Sequence, residues 1–129
     1  MDKIEHFAVV VKDPPAVAGW YAEHLGFTIK RAMDTAPFGH FLADASGGVM
    51  LELYNNPAVT VPDYASMDPL VLHIAFCSDD VAADYERLIA AGASGVDAPT
   101  DLPTGDTVAM LRDPWGLAIQ LVKRAEPMV

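Results

Sequence analysis

Ile4-Glu5-His6-Phe7-Ala8-Val9 returns in kind as Val71-Leu72-His73-Ile74-Ala75-Phe76, with the two histidines 67 positions apart. A second pair agrees at nearly the same offset. Gly48-Val49-Met50-Leu51-Glu52-Leu53 matches Gly116-Leu117-Ala118-Ile119-Gln120-Leu121, which sets Glu52 and Gln120 68 positions apart. Internal self-similarity of this kind means that one supersecondary unit occurs twice. Each half therefore begins on a strand with a histidine and ends on a strand with a carboxylate or its amide.

Between these ends both halves read as strand, helix and three strands. The first strand covers about residues 4–11. Asp13 before Pro14 and Pro15 is a helix start, because an aspartate caps free N–H groups and proline suits the first turn. Val17, Trp20, Tyr21 and Leu25 then fall at helical spacing until Gly26 ends the run. In the second half Asp79 or Asp80 is the cap, Val81, Tyr85, Leu88 and Ile89 form the stripe, and Gly92 closes it. Shorter strands are expected at about 27–33, 38–43 and 48–54, and again at 94–98, 107–112 and 116–122. Asp113-Pro114-Trp115-Gly116 has proline and glycine where a type I turn prefers them, so a tight hairpin is expected there. The reading is an α+β chain of two tandem βαβββ modules, residues 1–56 and 70–129, joined by a linker at 57–69 that carries Pro57, Pro62 and Pro69. Together they are expected to form one curved mixed sheet around a cavity.

The composition sets limits on function. With 129 residues, 52% of them hydrophobic and 20% charged, the chain has the make-up of an ordinary folded domain. Its net charge of -10 repels phosphate backbones and anionic lipid, which argues against nucleic acid and membrane partners. No apolar run approaches the ~20 residues needed to span a bilayer. The absence of an apolar leader and the single Cys77 favour the cytoplasm.

Alternation along the outer strands separates two faces. Phe7, Val9, Val11, Val49, Leu51, Leu53, Leu72, Ile74, Phe76, Leu117, Ile119 and Leu121 make one face, greasy enough for helices to cover. The other is smaller and carries His6, Glu52, His73 and Gln120 at equivalent positions. A buried carboxylate without a partner is costly, and a divalent cation relieves that cost. Imidazole nitrogen, carboxylate oxygen and amide oxygen are competent donors to Zn, Ni, Mn, Co or Fe.

The strand with His6, its duplicate with His73, Leu51-Glu52-Leu53-Tyr54, and Asp113-Pro114-Trp115-Gly116 through Gln120 resemble the vicinal oxygen chelate superfamily. That family includes glyoxalase I, extradiol dioxygenases, methylmalonyl-CoA epimerase and bleomycin-resistance proteins, and the likeness covers about residues 4–122. It implies that His6, Glu52, His73 and Gln120 ligate one divalent ion. It also implies a small-molecule substrate, and a homodimer in which modules pair within a chain or across two. Glyoxalase I usually has Glu where this chain has Gln120, and an amide cannot abstract a proton. Glu52 is then both ligand and base. The epimerase of the family has the same ligand types with the modules exchanged.

Three functions follow as expectations: a metal-dependent lyase or isomerase acting on a carbonyl or thioester through an enediolate; a non-haem Fe(II) dioxygenase built on His6, His73 and Glu52; and a non-catalytic drug-binding protein. Phe38, His40, Met50, Tyr54, Met110, Arg112 and Trp115 are the residues expected to line a substrate pocket. Ordinary core packing is the competing account of most of them. Arg112 is the candidate for an anionic substrate group, with pairing to Asp113 as its alternative, and Cys77 is expected to be a small buried hydrophobe.

Overall fold

The computed structural model describes residues 3–128. Residues up to Pro62 and residues from Asp63 onward make two compact units. In the first, strand β1 (His6–Val10) leads into helix α1 (Pro14–His24), followed by β2 (Thr28–Ala32), β3 (His40–Ala43) and β4 (Met50–Tyr54). The sheet order is β1-β4-β3-β2, with β1 parallel to β4 and the other pairs antiparallel. In the second unit a 3-10 turn (Tyr64–Ser66) precedes β5 (Ile74–Cys77), α2 (Val81–Ala90), β6 (Ser94–Asp101), β7 (Thr107–Arg112) and β8 (Ala118–Lys123). Its order is β5-β8-β7-β6, with the same pattern of one parallel and two antiparallel pairs. The α+β class and the tandem βαβββ modules are thus present, each module with its own four-stranded mixed sheet.

The local chemistry repeats with the topology. Asp13 accepts from Ala16 N at 3.1 Å at the start of α1, and Asp80 accepts from Ala83 N at 3.0 Å at the start of α2. Each cap satisfies a donor that a helix end would otherwise leave bare. Val17, Ala18 and Tyr21 of α1 lie against the strands that carry Leu42, Leu51 and Leu53, all fully buried. In the second unit Val81 and Leu88 of α2 face the sheet that carries Leu111 and Ile119, equally buried. Burying a side chain of this size stabilises by about 2 kcal/mol.

The expected strand around His73 begins later than its match to residues 4–9 implies. Asp68 accepts from Leu70 N through its side chain at 2.9 Å and from Val71 N through its carbonyl at 2.9 Å. A short acidic side chain of this kind offers the backbone a turn in competition with strand pairing. Leu70, Val71 and Leu72 are consequently exposed, and β5 begins one residue after His73. Phe7, on edge strand β1, is also 42% exposed rather than covered by a helix.

The segment 57–69, expected as the linker between the modules, contains the 3-10 turn with Tyr64 buried. Arg112 holds it: Nη1 donates to Tyr64 O at 2.8 Å and to Gly116 O at 3.0 Å, and Nη2 donates to Met67 O at 2.6 Å. Asp106 ties the segment after β8 to the loop before β7. Its carboxyl accepts from Ala125 N and from Arg124, and these bonds hold it below the usual carboxylate range. Burial works to raise the Asp84 carboxyl, but bonds from Ser78 and Arg87 outweigh it and leave it lowered. No helix among the described residues is long and apolar enough to cross a membrane.

Candidate metal centre

Within the first unit the parallel register sets His6 beside Met50, Ala8 beside Glu52 and Val10 beside Tyr54. His6 and Glu52 therefore share a face, and His6 Nε2 lies 3.4 Å from Glu52 Oε2. The other ring nitrogen of His6 is engaged by the Glu5 carboxylate. With Nδ1 as the donor there, the neutral ring presents its Nε2 lone pair towards a carboxylate oxygen. Two bases facing each other repel unless a proton or a cation lies between them. The spacing is longer than the ~2.8 Å of a charge-assisted hydrogen bond. It is close to the edge of about 3.0–3.4 Å that two donors make when each stands about 2.1 Å from one shared octahedral or tetrahedral ion. The donor pair thus fits a divalent cation in chemistry and in spacing.

In the second unit His73 Nδ1 lies 2.8 Å from Pro69 O, a carbonyl that only accepts. The tautomer is thereby set with the proton on Nδ1 and the lone pair on Nε2, which is how metal-ligating imidazoles are commonly oriented. Gln120, half-buried on β8, is in register with Ala75 of β5, two residues past His73, as Glu52 is with Ala8. Among the described residues no group of three or more His, Cys, Asp or Glu side chains forms a cage of its own.

The remaining candidates divide by strand register. Met110 is buried and opposite Gln120, and Met50 is half-buried beside His6. Tyr54, half-buried, shares the Glu52 side of β4, and Trp115 lies in the hairpin turn with its backbone N–H donating to Asp113 Oδ1 at 2.9 Å. His40 stands elsewhere. It pairs with Leu53, so it shares the helix-covered face, where it is buried with Nδ1 on Phe38 O at 2.7 Å. Phe38, exposed at 37%, has a positive φ of 56°, and its carbonyl serves His40. Arg112, considered for an anion, gives its N–H groups to three backbone carbonyls instead. Cys77, expected to be buried, is exposed beside a pocket of about 480 Å³ in the second unit, lined by Ala75, Val122, Lys123 and Met128 among others.

Three residues were not singled out from sequence: Glu5, which engages His6, and Phe41 and Arg31, which share its face. Phe41 pairs with Glu52 on β3 and places its ring 5.5 Å from the His6 ring at 89°. A signal for it existed, since in the repeat it is the counterpart of Met110.

These features define a class. The family model for the Glyoxalase/Bleomycin resistance protein/Dioxygenase superfamily matches residues 3–121, and the chain belongs to that family. Among solved structures it is similar to a glyoxalase/bleomycin resistance protein from Streptomyces sp. CB03234, with 26% identity, a TM-score of 0.67, and coverage of 94% of this chain and 100% of that one. It is similar to a glyoxalase I variant from Zea mays, with 25% identity, a TM-score of 0.75, and coverage of 96% and 46%. An antibiotic binding protein from Streptomyces sp. CB03234 shares the fold at 24% identity and a TM-score of 0.72, with coverage of 97% and 98%. No curated protein matches the chain.

Proposed function

We propose that the chain is a metal-dependent lyase or isomerase that moves a proton at the carbon beside a small carbonyl or thioester. In this reading His6, Glu52, His73 and Gln120 hold one divalent ion, Zn, Ni, Mn, Co or Fe. When bound, that ion supplies Lewis-acid polarisation of two adjacent substrate oxygens. Glu52 takes and returns the proton, because Gln120 has no basic oxygen for the task. Glu5 and Pro69 O orient the two imidazoles from behind. The observation that carries the reading is the 3.4 Å approach of His6 Nε2 to Glu52 Oε2 with Nδ1 already engaged.

The test is metal content followed by turnover. Wild type loaded with each ion is expected to retain about one equivalent and to isomerise the hemithioacetal of methylglyoxal or epimerise an acyl-CoA. His6→Ala and His73→Ala are expected to lose both metal and turnover. A second reading, sequestration of a small molecule without chemistry, is favoured by the pocket beside Cys77 and by the likeness to a glyoxalase/bleomycin resistance protein. It prevails if loaded wild type retains no metal and ligand binding is unchanged in His73→Ala.

A further inference from the structure

Strand β2 would bring Lys30 opposite Phe41 if its pairing with β3 ran without interruption. It does not: Ile29 pairs with Leu42, and a bulge makes Arg31 the partner of Phe41. A bulge of this kind re-aims one side chain at the expense of its neighbour. Arg31 is thereby turned onto the face of His6 and Glu52, where its Cζ lies 5.8 Å from the centre of the Phe41 ring. The same ring meets His6 edge-on.

Arg31 also differs from the other arginines in its partners. Arg87 is paired with Asp84, Arg124 with Asp106, and Arg112 with three carbonyls. Arg31 has the Phe41 ring and, among the described residues, no carboxylate or carbonyl acceptor. In a chain of net charge -10 an arginine has many acids available. A guanidinium steadied by an aromatic face instead keeps its edge of N–H donors open for a planar anion. Adjacent strands are about 4.8 Å apart, so along the sheet Arg31 on β2 stands roughly 10 Å from Glu52 on β4 and roughly 14 Å from His6 on β1, with the Phe41 ring between them.

We propose that Arg31 binds a carboxylate or phosphate that the substrate carries a few bonds from its reacting carbonyl, so that the site selects anionic over neutral substrates. The proposal rests on the metal reading above and gives it a substrate class. Two hydroxamates serve as probes, since both chelate through adjacent oxygens and only one has an anionic tail: succinic monohydroxamate and butyrohydroxamate. Calorimetric titration of nickel-loaded wild type is expected to show the acid-tailed probe bound about tenfold more tightly, the worth of one charge-assisted bond at an open site.

Arg31→Gln is expected to abolish that preference and leave the affinity for butyrohydroxamate unchanged, and Arg31→Lys to keep part of it. If butyrohydroxamate binds but wild type shows no preference, or Arg31→Gln retains it, the role of Arg31 is overturned and the metal centre stands. If neither probe binds nickel-loaded wild type, the metal centre fails and this inference fails with it.

Discussion

Glu52 and Gln120 occupy equivalent positions and differ by one functional group, and that difference assigns their roles. Either can give a metal an oxygen, but only the carboxylate can accept a proton at neutral pH. Glu52→Gln is therefore expected to keep bound metal close to the wild-type level and to lower kcat by about 10²–10⁴-fold, the usual worth of a positioned base. Metal analysis and initial rates on one preparation check both halves of the statement. The four donors were legible in sequence because two histidines recurred in one pattern and each module ended on a carboxylate or its amide. Phe41, Arg31 and the placing of His40 were not. Alternation along one strand says which residues share a side, but the pairing of Leu42 with Leu51 decides which side that is, and a bulge at Arg31 breaks the count.

The turns joining the last two strands of each module show the same effect at the scale of elements. Asp44 and Asp113 stand at equivalent positions; Gly47 N reaches Asp44 O at 3.1 Å, and Gly116 N reaches Asp113 O at 3.0 Å. Both glycines have positive φ, 66° and 95°. Their surroundings differ. A Cβ on Gly116 would lie 2.7 Å from Ala65 N, whereas one on Gly47 would meet nothing within 4 Å. Gly47→Ala is expected to cost about 1 kcal/mol, the left-handed backbone alone. Gly116→Ala is expected to cost on the order of 2–3 kcal/mol or more, because the 3-10 turn must also shift. Urea unfolding midpoints of the two variants measure the difference. The hairpin at 113–116 was legible from its turn residues. The turn after Asp68 was not, since Leu70, Val71 and Leu72 have the composition of a strand, and it is the bonds to the Asp68 carboxylate and carbonyl that oppose it.

At the scale of the whole chain, duplication divides the proposed ligands evenly: a histidine and a carboxylate in the first unit, a histidine and an amide in the second. A single ion bound by all four makes their effects non-additive, because losing either half destroys the one site. His6→Ala, His73→Ala and the double variant are then expected to lose metal to the same extent. Two single variants can also be mixed, and the outcome distinguishes sites within a chain from sites shared by two. If each site combines the first unit of one chain with the second unit of another, a heterodimer of His6→Ala and His73→Ala contains one site with both histidines intact. Random reassortment then restores roughly a quarter of the wild-type metal content. If each site lies within one chain, every chain in the mixture carries a lesion and no metal returns. We expect the restored quarter or none, read by metal analysis after unfolding and refolding the mixture; restoration to half or more would mean that one histidine suffices and that the four-ligand centre is wrong.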